Sequence, residues 1–112
     1  MPTRAHEFDA GLDLYSAYDD VYIYPRNSEL FDTGVHIQLP KNTVGFLKSK
    51  SGLNVKSGIT SEGVIDVGYT GSIMVKLYNH SDKPYRVRKG DKISQLVILP
   101  CLLAELDVVD SL

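Results

Sequence analysis

The chain of 112 residues has one cysteine, no block of lysine or arginine, and no apolar run near the ~20 residues that a membrane span needs. Cys101 therefore has no disulfide partner within the chain, and its setting in Leu99-Pro100-Cys101-Leu102-Leu103 reads as an apolar packing position. The formal net charge of −2 is spread along the sequence, which excludes the dense cationic surface that duplex nucleic acid requires. It also means that any polyanionic ligand has to be met by aimed cations, backbone N–H groups or a metal. The first twenty residues are rich in Asp, Glu and Tyr and hold no basic stretch leading into an apolar run. The expectation is a chain without a signal peptide, at home in a reducing cytoplasm. Repeats, low-complexity tracts and linkers are missing too, so residues 1–112 read as one domain.

Helical periodicity is nearly absent. What is present is a series of short apolar runs punctuated by Gly, Pro, Asn and Asp, the pattern of strands and turns. Val35, Ile37 and Leu39 alternate with His36 and Gln38; Ile73, Val75 and Leu77 alternate with Met74 and Lys76 and stop at Asn79-His80-Ser81. Further strands are expected at 12–15, 21–24, 44–48, 92–99 and 102–109. Roughly seven to ten short strands of this kind predict an all-β barrel or sandwich. One short helix fits around Ser51 to Val55, with Ser51 as its N-cap. The apolar, β-branched stretch from Leu102 to Leu112 calls for a neighbour to pair with, which points to an oligomer.

Four clusters combine Gly with polar residues that plain strands and turns do not need. Ala10-Gly11-Leu12-Asp13-Leu14 sets a carboxylate between two leucines, as a turn or cap residue or as an oxygen ligand aimed at a metal. Lys48-Ser49-Lys50-Ser51-Gly52-Leu53 brings two cations and two hydroxyls to the start of the expected helix, either as a solvated loop or as a seat for phosphate. Gly63-Val64-Ile65-Asp66-Val67-Gly68-Tyr69-Thr70-Gly71 describes a glycine-rich hairpin whose backbone can approach a ligand closely. In it Asp66 is a turn former or a general base, and Tyr69 a core aromatic or a stacking surface. Lys89-Gly90-Asp91-Lys92-Ile93-Ser94-Gln95-Leu96 is a turn entering an apolar strand, with the amide of Gln95 in need of partners.

In this order the clusters resemble the first four of the five signature motifs of the trimeric deoxyuridine triphosphatase (dUTPase) family, over about Arg4 to Val109. The resemblance implies a homotrimer of distorted jelly-roll (β-clip) barrels that hydrolyses dUTP to dUMP and pyrophosphate with Mg²⁺. Carried over position by position, it implies that Asp66 activates the water that attacks the α-phosphorus and that Tyr69 packs on the deoxyribose, leaving no room for a 2′-hydroxyl. Uracil would be read by the hairpin around Gly63, Val64, Ile65 and Met74, with Thr60 alongside. Lys50, Ser51, Gly52 and Gln95 would hold the phosphates, and Asp13 would hold Mg²⁺ through a bound water. Each site would be shared by three subunits.

The chain departs from the family pattern in three places. Lys50 stands where the family usually has Arg, exchanging a bidentate fork for a point charge. Thr60 stands where an Asn often contacts uracil. The Gly-rich fifth motif, a mobile arm that closes over the phosphates, is not found among these 112 residues. Two rivals follow. A dCTP deaminase shares the fold, but it needs a catalytic Glu on the strand after the hairpin, where this chain has Lys76. A nucleotide-binding regulatory trimer with weak or no catalysis would keep the pocket, and some viral relatives engage regulatory protein partners, although no surface in the sequence identifies one.

Overall fold

A computed structural model describes residues 1–111. Nine strands and one helix follow in the order β1 (Leu12–Tyr15), β2 (Val21–Ile23), β3 (Ser28–Asp32), β4 (Thr43–Lys48), α1 (Ser51–Ser57), β5 (Ile59–Thr60), β6 (Glu62–Ile65), β7 (Met74–Asn79), β8 (Tyr85–Val87) and β9 (Lys92–Pro100). They form a four-stranded sheet in the order β1-β9-β4-β6, a three-stranded sheet β3-β7-β5 and the pair β2-β8. Every ladder is antiparallel. The sheets wrap around one core as a distorted jelly roll, the all-β class expected from the sequence.

The two-residue period explains which side chains enter that core. Along β7, Val75 and Leu77 are buried while Met74, Lys76 and Tyr78 face outward. They meet Leu14 of β1, Ile23 of β2, Phe31 of β3 and Leu96 of β9, all essentially inaccessible. Each such side chain contributes roughly 1.5–3 kcal/mol relative to exposure. Asn79 ends β7 inside the core, with its polar atoms satisfied. Its Nδ2 donates to the carbonyls of Ile23 (2.7 Å) and Lys83 (2.8 Å), and its Oδ1 accepts from the amide (2.9 Å) and hydroxyl (2.7 Å) of Ser81.

Three expectations need correction. Residues 35–39 form no strand: Val35, Ile37 and Leu39 do turn inward and His36 and Gln38 outward, but no ladder forms beside them, and the contact to β7's lead-in is a bond from the Ile73 amide to the Val35 carbonyl (2.8 Å). Residues 102–109 form no strand either, and Leu102, Leu106 and Val108 are 97%, 92% and 98% exposed. A strand needs a neighbouring backbone, and a single chain offers this segment none. Helix α1 is present, but its N-cap is Lys50, without a side-chain cap bond, and Ser51 is its first helical residue.

Candidate active site

The first polar cluster forms where β1, β9 and the loop after β4 meet. Antiparallel pairing sets Asp13 opposite Gln95 and Gln95 opposite Lys48. The turn before β9 is fastened to the end of β1 by bonds from the Ser16 amide to the Asp91 carbonyl and from the Gly90 amide to the Ser16 carbonyl, each 2.8 Å. These contacts bring Lys92 to Asp13 as well.

Asp13 is 2% exposed, its Oδ1 ion-paired with Lys50 Nζ and its Oδ2 3.3 Å from Lys92 Nζ. The Lys92 approach is close enough for an ion pair, but it leaves Oδ2 without an aligned hydrogen bond. Burial pushes the Asp13 carboxyl up, and the two ammonium groups beside it outweigh that, so the pKa lies below the ordinary value. Gln95 donates from Nε2 to the Ser49 carbonyl at 2.9 Å. Its Oε1 lies where a β-carbon on Gly11 would stand, 2.2 Å away. A side chain at position 11 would displace that amide.

Beneath the loop runs a line of serines that reasoning from the sequence missed. Ser61 and Ser94, both buried, share a 2.7 Å hydrogen bond; Ser94 Oγ donates to the Lys48 carbonyl (3.0 Å), and the Ser61 amide donates to Ser49 Oγ (2.9 Å). The signal was available: a hydroxyl beside Ile93 in an apolar strand needs a partner. Lys92 was missed as an Asp13 partner because the register shift between Leu14 and Tyr15, which brings Tyr15 opposite Lys92, is not visible in the apolar pattern. Ser51 and Gly52 are exposed in the first turn of α1, next to Lys50.

The second feature is a cavity of about 230 Å³ between β6 and β7. β6 is the last strand of its sheet, and on the side away from β3 the residues of β7 before Tyr78 have no partner, because β5 pairs only Tyr78 and Asn79. Two unpaired strand edges border one gap, so a flat ligand with donors and acceptors around its rim can complete both ladders. Gly63, Val64, Ile65, Tyr69 and Met74 line the gap, which is floored by buried Leu47 and Ile73. The volume is below the ~300–1,000 Å³ of pockets that enclose whole ligands, so it fits a base and leaves a nucleotide's phosphates outside.

Tyr69 is held by its amide bond to the Asp66 carbonyl (3.0 Å) and by its hydroxyl, which donates to the Ser72 carbonyl (2.6 Å). A β-carbon on Gly71 would lie 2.8 Å from that hydroxyl. Asp66 follows Ile65 on the exposed turn. Two charged residues also reach the cavity: Glu62, neutralised by Lys48 at 2.9 Å, and Lys76, whose ammonium lies over the Tyr78 ring at 5.6 Å. Thr60 is not among the lining residues; its hydroxyl is hydrogen-bonded to His80 Nε2 at 2.8 Å.

Within one chain the two features lie apart. Gly45 pairs with Ile65, so Asp66 leaves the ladder at its Val44 end, and Ser49 follows the last residue of β4, five residues on from Val44 and on the order of 17 Å away at strand spacing. The structure brings Asp13, Lys50 and Gln95 together, and separately Gly63, Val64, Ile65, Tyr69 and Met74.

Among the described residues no three His, Cys, Asp or Glu side chains converge as a metal site. The buried Asp13 Oδ2 lacks an aligned hydrogen bond and faces Lys92 at 3.3 Å; its oxygen chemistry fits Mg²⁺, which would compete with that ammonium for it.

The family model for dUTPase matches residues 1–112. The deoxyuridine 5'-triphosphate nucleotidohydrolase of Clostridium tetani is 42% identical over 115 aligned residues, covering 100% of this chain and 79% of the relative. That of Clostridium kluyveri is 47% identical over 103 residues, covering 89% and 71%. Among solved structures, the dUTPase of Staphylococcus aureus phage phi11 superposes with a TM-score of 0.90 at 29% identity, covering 100% of this chain and 90% of its own. The dUTPase of Staphylococcus bacteriophage 80alpha gives 0.88 at 31% identity with the same coverage. A mutant of the phi11 enzyme coordinates a structural Mg(II) ion.

Proposed function

The chain belongs to the dUTPase family and hydrolyses dUTP to dUMP and pyrophosphate, and from that premise we propose how its residues divide the work. The observation that carries the reading is the cavity between the unpaired edges of β6 and β7, beside Tyr69 and Asp66. Uracil lies in the plane of the two strands, where peptide N–H and C=O groups of Gly63 to Ile65 and Met74 meet its O and N–H positions. Cytosine reverses part of that donor and acceptor pattern and leaves buried amides unpaired, which is the strong form of rejection. Thymine is excluded by its methyl group. Tyr69 presents its ring to the sugar and closes the space of a 2′-hydroxyl. The deaminase reading has no support at this cavity, since Lys76 occupies the position of the required Glu and Glu62 is tied to Lys48.

Asp66 is the general base. It accepts a proton from the water whose oxygen bonds to the α-phosphorus, while the bond from that phosphorus to the α,β-bridging oxygen breaks and pyrophosphate departs. Lys50, Ser51 and Gly52 hold phosphate oxygens, and Gln95, fixed on Ser49, holds the phosphate chain. Asp13 would hold Mg²⁺, which when bound would neutralise charge on the triphosphate and favour one conformer of it.

The spacing between Asp66 and the Lys50 cluster supports a homotrimer, because a base in one chain's hairpin presents its phosphates to a neighbouring chain's cluster. Such an assembly also offers residues 102–109 a partner. All three sheets share one core, which supports reading residues 1–112 as one domain. The substrate and the single unpaired cysteine support a cytoplasmic location; no helix among the described residues is long and apolar enough to cross a membrane.

The test is calorimetric titration, with Mg²⁺, of a dUTP analogue whose α,β-bridging oxygen is replaced by NH, beside UTP, dCTP and dTTP. Selective binding of the analogue near one site per chain is expected. Equal binding of all four, or of none, refutes the assignment of this cavity.

A further inference from the structure

The returning limb of the hairpin is fastened to residues 32–36 at Thr70, Ser72 and Ile73. His36 Nδ1 lies 2.8 Å from the Thr70 carbonyl, which makes Nδ1–H the donor. Ser72 donates its hydroxyl to Asp32 Oδ1 and accepts from the Gly34 amide at 3.1 Å. Ile73 accepts from the Thr33 amide (3.0 Å) and hydroxyl (2.7 Å). The same Gly34 amide reaches Asp32 Oδ1 at 3.0 Å, closing a ring of Asp32, Gly34 and Ser72.

Ser72 is the junction of this arrangement. Its side chain is anchored to β3 through Asp32, and its carbonyl receives the Tyr69 hydroxyl at 2.6 Å. The hydrogen bonds from Ser72 and Gly34 hold the Asp32 carboxyl below its ordinary pKa, so it stays ionised and acts purely as an acceptor. Tyr69 sits on a turn, 44% exposed, and the bond from its hydroxyl to Ser72 ties its ring end to the returning limb, beside the bond from its own amide to the Asp66 carbonyl and the close approach of Gly71.

We propose that Asp32 and Ser72 are positioning residues for sugar discrimination: Asp32 holds Ser72, and Ser72 holds the Tyr69 ring where it shuts out a ribose. Neither residue touches the base cavity, and neither stood out in the sequence. The inference rests on the role given to Tyr69 above, so the experiment tests the two separately. Steady-state kcat and KM for dUTP and UTP are measured for the unaltered chain and for Tyr69→Ala, Tyr69→Phe, Ser72→Ala, Asp32→Ala and Asp32→Asn.

Tyr69→Phe, Ser72→Ala and Asp32→Ala are expected to raise the UTP-to-dUTP ratio of kcat/KM about five- to tenfold, the factor carried by one lost hydrogen bond, mainly through KM. Asp32→Asn keeps an acceptor oxygen for Ser72 and is expected to stay near the unaltered ratio, which a general loss of packing would not reproduce. If Tyr69→Ala changes the ratio while Ser72→Ala, Asp32→Ala and Tyr69→Phe leave it unmoved, the positioning role is overturned and the Tyr69 assignment stands. If Tyr69→Ala itself leaves the ratio unmoved, the sugar is read elsewhere and both fall.

Discussion

Gly11 lies directly under the side chain of Gln95, so a methyl group added there disturbs the amide. In Gly11→Ala the new methyl group would meet Gln95 Oε1 at 2.2 Å, Cδ at 3.1 Å and Cβ at 3.3 Å. The contacts with Oε1 and Cδ are relieved only when Gln95 swings its amide to another rotamer, while the contact with Cβ, which belongs to a strand paired on both sides, asks the backbones to part by a few tenths of an ångström. Gln95 then loses the bond to the Ser49 carbonyl. A lost hydrogen bond costs about 1 kcal/mol and a side chain forced off its rotamer about 0.5–1.5 kcal/mol, which together come to about 2 kcal/mol. For a chain of this size that lowers the thermal midpoint by roughly 8 °C. The assay is a double-mutant cycle at fixed protein concentration, with dUTP turnover measured on the same samples. Gly11→Ala is expected to lose activity about as much as Gln95→Ala, and to cost less than about 0.5 kcal/mol in the Gln95→Ala background. Additive effects of the two substitutions would show that Gly11 serves something other than Gln95.

Asp66→Asn is expected to keep its affinity for the NH-bridged dUTP analogue and to lose about 10²- to 10⁴-fold in turnover, as measured by pyrophosphate release; unchanged turnover would remove Asp66 from the chemistry. Because the pKa of Asp13 is depressed in the folded chain, its contribution is present above the ordinary carboxylate value of ~3.9 and is lost as pH falls through the folded value. The urea midpoint of Asp13→Asn is therefore expected to depend less on pH below about pH 4 than that of the parent, and parallel curves would refute the pairing with Lys50 and Lys92. Within β7, Leu77→Ala is expected to cost about 2–5 kcal/mol and Lys76→Ala less than about 0.5 kcal/mol in urea unfolding, with similar costs contradicting the inward and outward faces described.

The parts of the fold that were legible are those where one face is apolar and the other is not. β7 shows its period in Val75 and Leu77 against Lys76, and β9 shows its bulk in Ile93, Leu96 and Val97. β3 was illegible because Ser28-Glu29-Leu30-Phe31-Asp32 sets two apolar residues side by side; it is a strand because β7 pairs with it along its whole length. Residues 35–39 show the reverse, an alternating pattern that turns its apolar side inward without finding a ladder. At the site, Asp13, Lys50 and Gln95 could be grouped through their motifs. Lys92 could not, because its place depends on a one-residue slip in the β1–β9 pairing. The failed Ser51 cap is a one-residue offset at a helix end, where Lys50 already holds extended backbone geometry.

The cations around the phosphate cluster are largely spent on the chain itself. Lys48 is paired with Glu62, and Lys50 and Lys92 share Asp13, so the three lysines and two carboxylates leave one net positive charge near the start of α1. A triphosphate carries several negative charges, and a chain whose own net charge is −2 supplies no distant field to attract it. Binding must then rest on short-range groups that a neighbour or an ion completes. Geometry points the same way, since Asp66 leaves the β4–β6 ladder at one end and Ser49 leaves it at the other, on the order of 17 Å apart at strand spacing. Charge and distance thus independently support the proposed homotrimer, in which a single barrel carries two half-sites that a neighbour completes.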